Sequence, residues 1–95
     1  MNFLKDKGAI YLRDESGKKI AQITYSDHLE AENVWNVDST FVDESLRGQG
    51  VAEKLVDALA DEARQYHQQL NPVCSYVVKL FERKPEKYGD VMISK

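Results

Sequence analysis

Ninety-five residues, 42% hydrophobic and 31% charged, describe one globular domain, large enough for a core without disulfide staples and too small for two lobes. A net charge of −3, a pI near 5.3 and the lack of any block of five like charges argue against a nucleic-acid partner. Charges scattered through residues 1–20 leave no apolar leader, and no run approaches membrane-spanning length, so the expectation is a cytoplasmic protein with no membrane partner.

In chain order, Ala9 to Leu12 is a short apolar run followed by the turn residues Asp14-Glu15-Ser16-Gly17. Lys19 to Tyr25 then alternates, with Ala21, Ile23 and Tyr25 on one side, which predicts a hairpin. After a polar loop over Ser26 to Glu32, Asn33 to Val42 alternates again. That pattern predicts Trp35, Val37 and Phe41 on one face and Asn36, Asp38 and Thr40 on the other, completing a three-stranded antiparallel meander.

From Val51 the period lengthens to between three and four. Val51, Leu55, Leu59 and Ala63, flanked by Ala52, Val56 and Ala60, form one apolar stripe, and Glu53, Lys54, Asp57, Asp61, Arg64 and Gln65 point away from it. Asn71 to Cys74 is a brief apolar segment, and Tyr76 to Glu82 returns to helical spacing until Pro85 stops it. Strand, helix and a further strand in one sheet make a right-handed parallel crossover. The expected class is α+β: three antiparallel strands followed by helix, parallel strand and helix, with residues 1–95 as one domain.

Two of only five glycines, Gly48 and Gly50, stand between the third strand and the long helix. The unpaired amides of a first helical turn and the positive end of the helix dipole suit an anion there, and glycine lets a phosphate approach the backbone. Such a pair also serves merely to turn the chain. A P-loop is excluded because Val51-Ala52, not Lys-Ser or Lys-Thr, follows Gly50, and the dinucleotide fingerprint is excluded because position 53 is Glu.

Arg47-Gly48-Gln49-Gly50-Val51-Ala52 resembles the Gln/Arg-x-x-Gly-x-Gly/Ala signature of the GNAT acetyltransferase superfamily, which implies that these six residues bind the pyrophosphate of acetyl-coenzyme A. The segment Pro72-Val73-Cys74-Ser75-Tyr76, with Val77-Val78-Lys79-Leu80-Phe81 and Lys84-Pro85-Glu86 after it, is similar to a small single-domain branch of that superfamily. The likeness covers most of residues 20–88. It implies a minimal GNAT-like fold and acetyl transfer to an amine on a small molecule or a protein. It also implies that the main chain of Phe41 and Val42 orients the pantetheine arm, with Asp43 near it. Where relatives often carry His-Thr, this chain has Ser39-Thr40, so the proton acceptor is not assigned.

Cys74 lies at the start of the second helix, where the dipole lowers a thiol pKa. It accepts the acetyl group, lines the pocket where the thioester ends, or is a small buried residue. Tyr76 is a donor to the leaving thiol or a core aromatic. The lone cysteine fits a reducing compartment, and with His28 and His67 far apart no metal site is expected. Trp35 is read as core. Beside the enzyme stands a second reading, a coenzyme A-binding sensor or adaptor without turnover.

Overall fold

In the computed structural model, which describes residues 2–93, five strands form one sheet in the order β1 (Leu4–Asp6), β2 (Ala9–Arg13), β3 (Lys19–Asp27), β4 (Val34–Val42) and β5 (Gln69–Pro72). The first four pair antiparallel and β5 joins β4 in parallel, reached through helix α1 (Val51–Gln65). Two shorter helices, α2 (Ser75–Arg83) and α3 (Pro85–Tyr88), complete the α+β architecture. The expected three strands, helix, strand and helix are all present. β1 and α3 are additions: three exposed residues carry too little period for a strand to be read, and Pro85, read as a stop, also opens a new helix as its first residue.

Local chemistry explains the hairpin between β2 and β3. The Asp14 carboxylate accepts from the amides of Ser16 and Lys18 and from the Ser16 hydroxyl, and Gly17 donates its amide to the Asp14 carbonyl. These contacts hold the Asp14 carboxyl below its usual range, the Ser16 hydroxyl contributing most.

Helix α1 lies on one sheet face. Its buried residues Val51, Leu55, Val56, Leu59, Ala60 and Ala63 are the predicted stripe, Ala52 alone being only half-buried. They pack with Ile10, Ala21, Ile23, Val37 and Leu70 of the sheet and with Val77, Leu80, Phe81 and Tyr88 of the short helices in one cluster. Each buried Val, Leu, Ile or Phe among them contributes about 1.5–3 kcal/mol. Polar contacts tie α2 and α3 to α1: Lys84 and Lys87 both reach Glu53, and the Tyr88 hydroxyl donates to Asp57 at 2.6 Å.

The register of β3 on β4 shifts between Thr24↔Ser39 and Tyr25↔Val37, leaving Asp38 as an extra residue on β4. This β-bulge reverses the alternation of everything after it. Thr40 and Val42, opposite Ile23 and Ala21, therefore take the helix-covered face, and Phe41, opposite Gln22, goes to the other and is 49% exposed. The expected grouping of Phe41 with Trp35 and Val37 is corrected by that one inserted residue.

Candidate functional site

Between β4 and α1 the chain passes through a 3₁₀ turn, Glu44–Leu46, capped by the Asp43 carboxylate, which accepts from the Ser45 amide and hydroxyl. Asp43 is thus engaged in holding the turn. Gly48 and Gly50 follow with φ of +83° and +70°, left-handed values that any side chain would make costly. A Cβ at either position would meet nothing within 4 Å, so backbone conformation and not crowding by the protein requires glycine there.

The consequence lies in the amides. Arg47 still donates to the Glu44 carbonyl, and Lys54 donates to that of Gly50. The amides of residues 48–53 between them meet no acceptor among the described residues, and α1 has no side-chain cap. Six successive donors at the positive end of a fifteen-residue helix are an arrangement that suits an anion. Arg47 beside them is exposed and in no ion pair among the described residues. Val42, Leu46, Arg47, Gly48, Gly50, Val51 and Ala52 line a groove of about 210 Å³.

A second feature opens beside this groove. β5 pairs with β4 only up to Val37↔Pro72, where the amides of Val73 and Cys74 both donate to the Val37 carbonyl, while β4 runs on to Val42. The strands therefore part into a wedge with the first turn of α2 on its far side. Asp43 donates its amide to Ile20 of β3, so by alternation the main chain of Phe41 also faces β3, and that of Thr40 and Val42 faces the wedge.

A sequence model described as GCN5-related N-acetyl-transferase matches residues 9–91. The chain belongs to the GCN5-related N-acetyltransferase family. The NMR structure of a GCN5-like protein from Staphylococcus aureus superposes on this acetyltransferase with a TM-score of 0.78 at 29% identity, covering 99% of this chain and 89% of that one. A GNAT-family N-acetyltransferase from Escherichia coli in complex with CoA superposes at 0.59 with 24% identity, over 67% of this chain and 38% of that one. A ribosomal-protein-alanine N-acetyltransferase from Brucella melitensis superposes at 0.60 with 23% identity, over 97% and 68%. No curated protein sequence matches significantly. The free amides at the glycine turn suit a phosphate group.

Cys74 is the N-cap residue of α2 and half-buried, with its thiol donating to Thr40 Oγ1 at 3.6 Å across the wedge. Burial pushes the thiol up, but the Thr40 hydroxyl, the amides of Val77 and Tyr76 and the Thr40 main chain together outweigh it, so its pKa is lowered. Tyr76 is half-buried, and its hydroxyl is pushed up by burial and then by the Glu53 carboxylate, with Arg83 opposing. Ser39 lies on the uncovered sheet face, its hydroxyl 2.6 Å from that of Thr24. The residue missed from sequence is Thr40, grouped with the solvent face for want of any sign of the bulge at Asp38. Among the described residues no cluster suits a metal, and no helix is long and apolar enough to cross a membrane.

Proposed function

We propose that residues 1–95 act as one cytoplasmic N-acetyltransferase domain in which the glycine turn holds the diphosphate of acetyl-CoA and the wedge between β4 and α2 holds its thioester end. The run of unpartnered amides at 48–53, continuous with a parted strand pair, supports this reading most directly. Gly48, Gln49, Gly50, Val51 and Ala52 donate main-chain N–H groups to phosphate oxygens, and Arg47 adds a charge. Val42, with Thr40, presents main-chain groups to the pantetheine arm, whereas the main chain of Phe41, expected to share that role, is taken up by pairing with β3. The exposed polar surfaces and the single cysteine are compatible with a reducing cytoplasm.

The cosubstrate supplies an acetyl group on a good thiol leaving group. What the chain must add is an oriented carbonyl, a path for an amine and a partner for the departing sulfur. Cys74 stands in the wedge as the N-cap residue of α2, beside the Thr40 hydroxyl and with its pKa lowered, an arrangement that favours negative charge on the sulfur. It therefore serves either as a thiolate that attacks the carbonyl, releasing the coenzyme A thiolate and later passing the acetyl group to the amine, or as a proton donor to that leaving thiolate during direct attack by the amine. Tyr76, its proton held by burial, is the further donor. The acceptor is an amine, and it enters from the sheet face that no helix shields among the described residues.

Incubation with radiolabelled acetyl-CoA, followed by addition of polyamines, amino acids and lysine peptides, tests the reading. Transfer to an added amine is the expected outcome. Binding without any transfer would instead make the protein a coenzyme A sensor or adaptor.

A further inference from the structure

At the opposite end of β4 from the glycine turn, Tyr25, Trp35 and Tyr66 gather around a second cavity of about 520 Å³. Five residues at about 3.3 Å each place Trp35 roughly 16 Å along the strand from Thr40, so this cavity is separate from the wedge. Tyr25 and Trp35 have ring centroids 4.7 Å apart and Trp35 and Tyr66 6.3 Å apart, both tilted, which makes a continuous aromatic wall from β3, β4 and the end of α1. Such rings attract cations through their electron-rich faces.

The cavity also holds an acid. The side chain of Glu62 is only 14% exposed, and its carboxylate is engaged by the Lys5 ammonium. Lys5 comes from β1, three exposed residues at the sheet edge, and its own side chain is 54% exposed. Its withdrawal leaves the Glu62 carboxylate beside three rings. Asp6 and Lys7, also at the cavity, offset each other in charge. The ammonium of Lys5 rests on the carboxylate without lying over any of the three rings, so the aromatic wall has no cation of its own among the described residues.

We propose that this cavity binds an organic ammonium group, which takes the carboxylate of Glu62 from Lys5 and lies against Trp35 and its neighbouring tyrosines. Lys5 acts as an internal competitor that keeps the site closed when no ligand is present. The site needs neither acetyl-CoA nor an intact glycine turn, so its test is independent of the acetyltransferase reading.

Trp35 is the only tryptophan in the chain and reports directly on the cavity. Its fluorescence is titrated with n-butylammonium chloride, with sodium chloride at equal ionic strength and butanol as controls, in the native chain, Lys5→Ala, Glu62→Gln and Tyr66→Leu. A saturable change specific to butylammonium is expected, at least threefold tighter in Lys5→Ala and at least tenfold weaker in Glu62→Gln. Far-ultraviolet circular dichroism identifies any variant that has not folded, and the native chain and the remaining variants then carry the test. A Lys5→Ala response equal to that of sodium chloride, or a folded Glu62→Gln that titrates like the native chain, overturns the proposal. A lysine-containing tripeptide that saturates below butylammonium assigns the ammonium to a protein side chain; the reverse order assigns it to a free amine.

Discussion

The thiol of Cys74 and the hydroxyl of Thr40 face each other across the parted strands, and their pairing has a measurable sign. Because Thr40 stabilises the thiolate, Thr40→Val removes one of the groups that hold the thiol pKa down. The pH profile of Cys74 alkylation by iodoacetamide should move to higher pH in that variant, with the plateau rate little changed; an unmoved profile would show that the hydroxyl does not set the thiol's acidity. Cys74→Ala separates chemistry from binding. Loss of transfer with normal CoA affinity is expected if the sulfur takes part, and retained transfer would leave it as pocket lining. At Gly50, valine disfavours the left-handed turn and re-aims the amides at the helix start. Gly50→Val should weaken CoA at least tenfold by calorimetry, about 1.4 kcal/mol.

Helix α1 supplies both the main cover of the sheet and the free amides at the glycine turn, so its packing and its first turn are linked. Leu59 is fully buried at its centre, and Leu59→Ala should cost about 2–5 kcal/mol in urea unfolding, as other buried leucines do. Glu53 in the first turns of the same helix accepts from Lys84 and Lys87, and these contacts, Lys84 first, lower its carboxyl from 4.5 to about 2. A carboxyl depressed on folding contributes stability above its unfolded pKa and loses it as pH falls through the folded value. Native stability should therefore fall between about pH 4.5 and pH 2. In Glu53→Gln that fall should be shallower, though not absent, because Asp14, Asp43 and Asp90 are also depressed. Equal slopes in urea midpoints measured across this window would remove Glu53 from the account.

For the molecule as a whole, how legible each part was in the sequence depended on the range of the interaction involved. The α1 stripe, the Asp14–Gly17 turn and the position of the glycine pair depend on neighbours a few residues apart, so period and turn chemistry sufficed to place them. The run of free amides was legible for the same reason: a helix start and its unpaired donors are local features. Which face of the sheet received Thr40 and Phe41 was not local. It depended on Asp38 being extruded where β4 pairs with β3, two strands whose paired residues lie well apart in the chain, and nothing in the alternation of β4 alone records that insertion. The aromatic cavity, assembled from β1, β3, β4 and the end of α1, and the Cys74–Thr40 contact, 34 residues apart, were likewise decided by tertiary pairing. By itself the sequence determined the elements and the glycine turn at the start of α1, because these are written in short-range spacing. Only the folded chain decided which side chains meet in the wedge and in the cavity, because register between distant strands is chosen by the core they bury together.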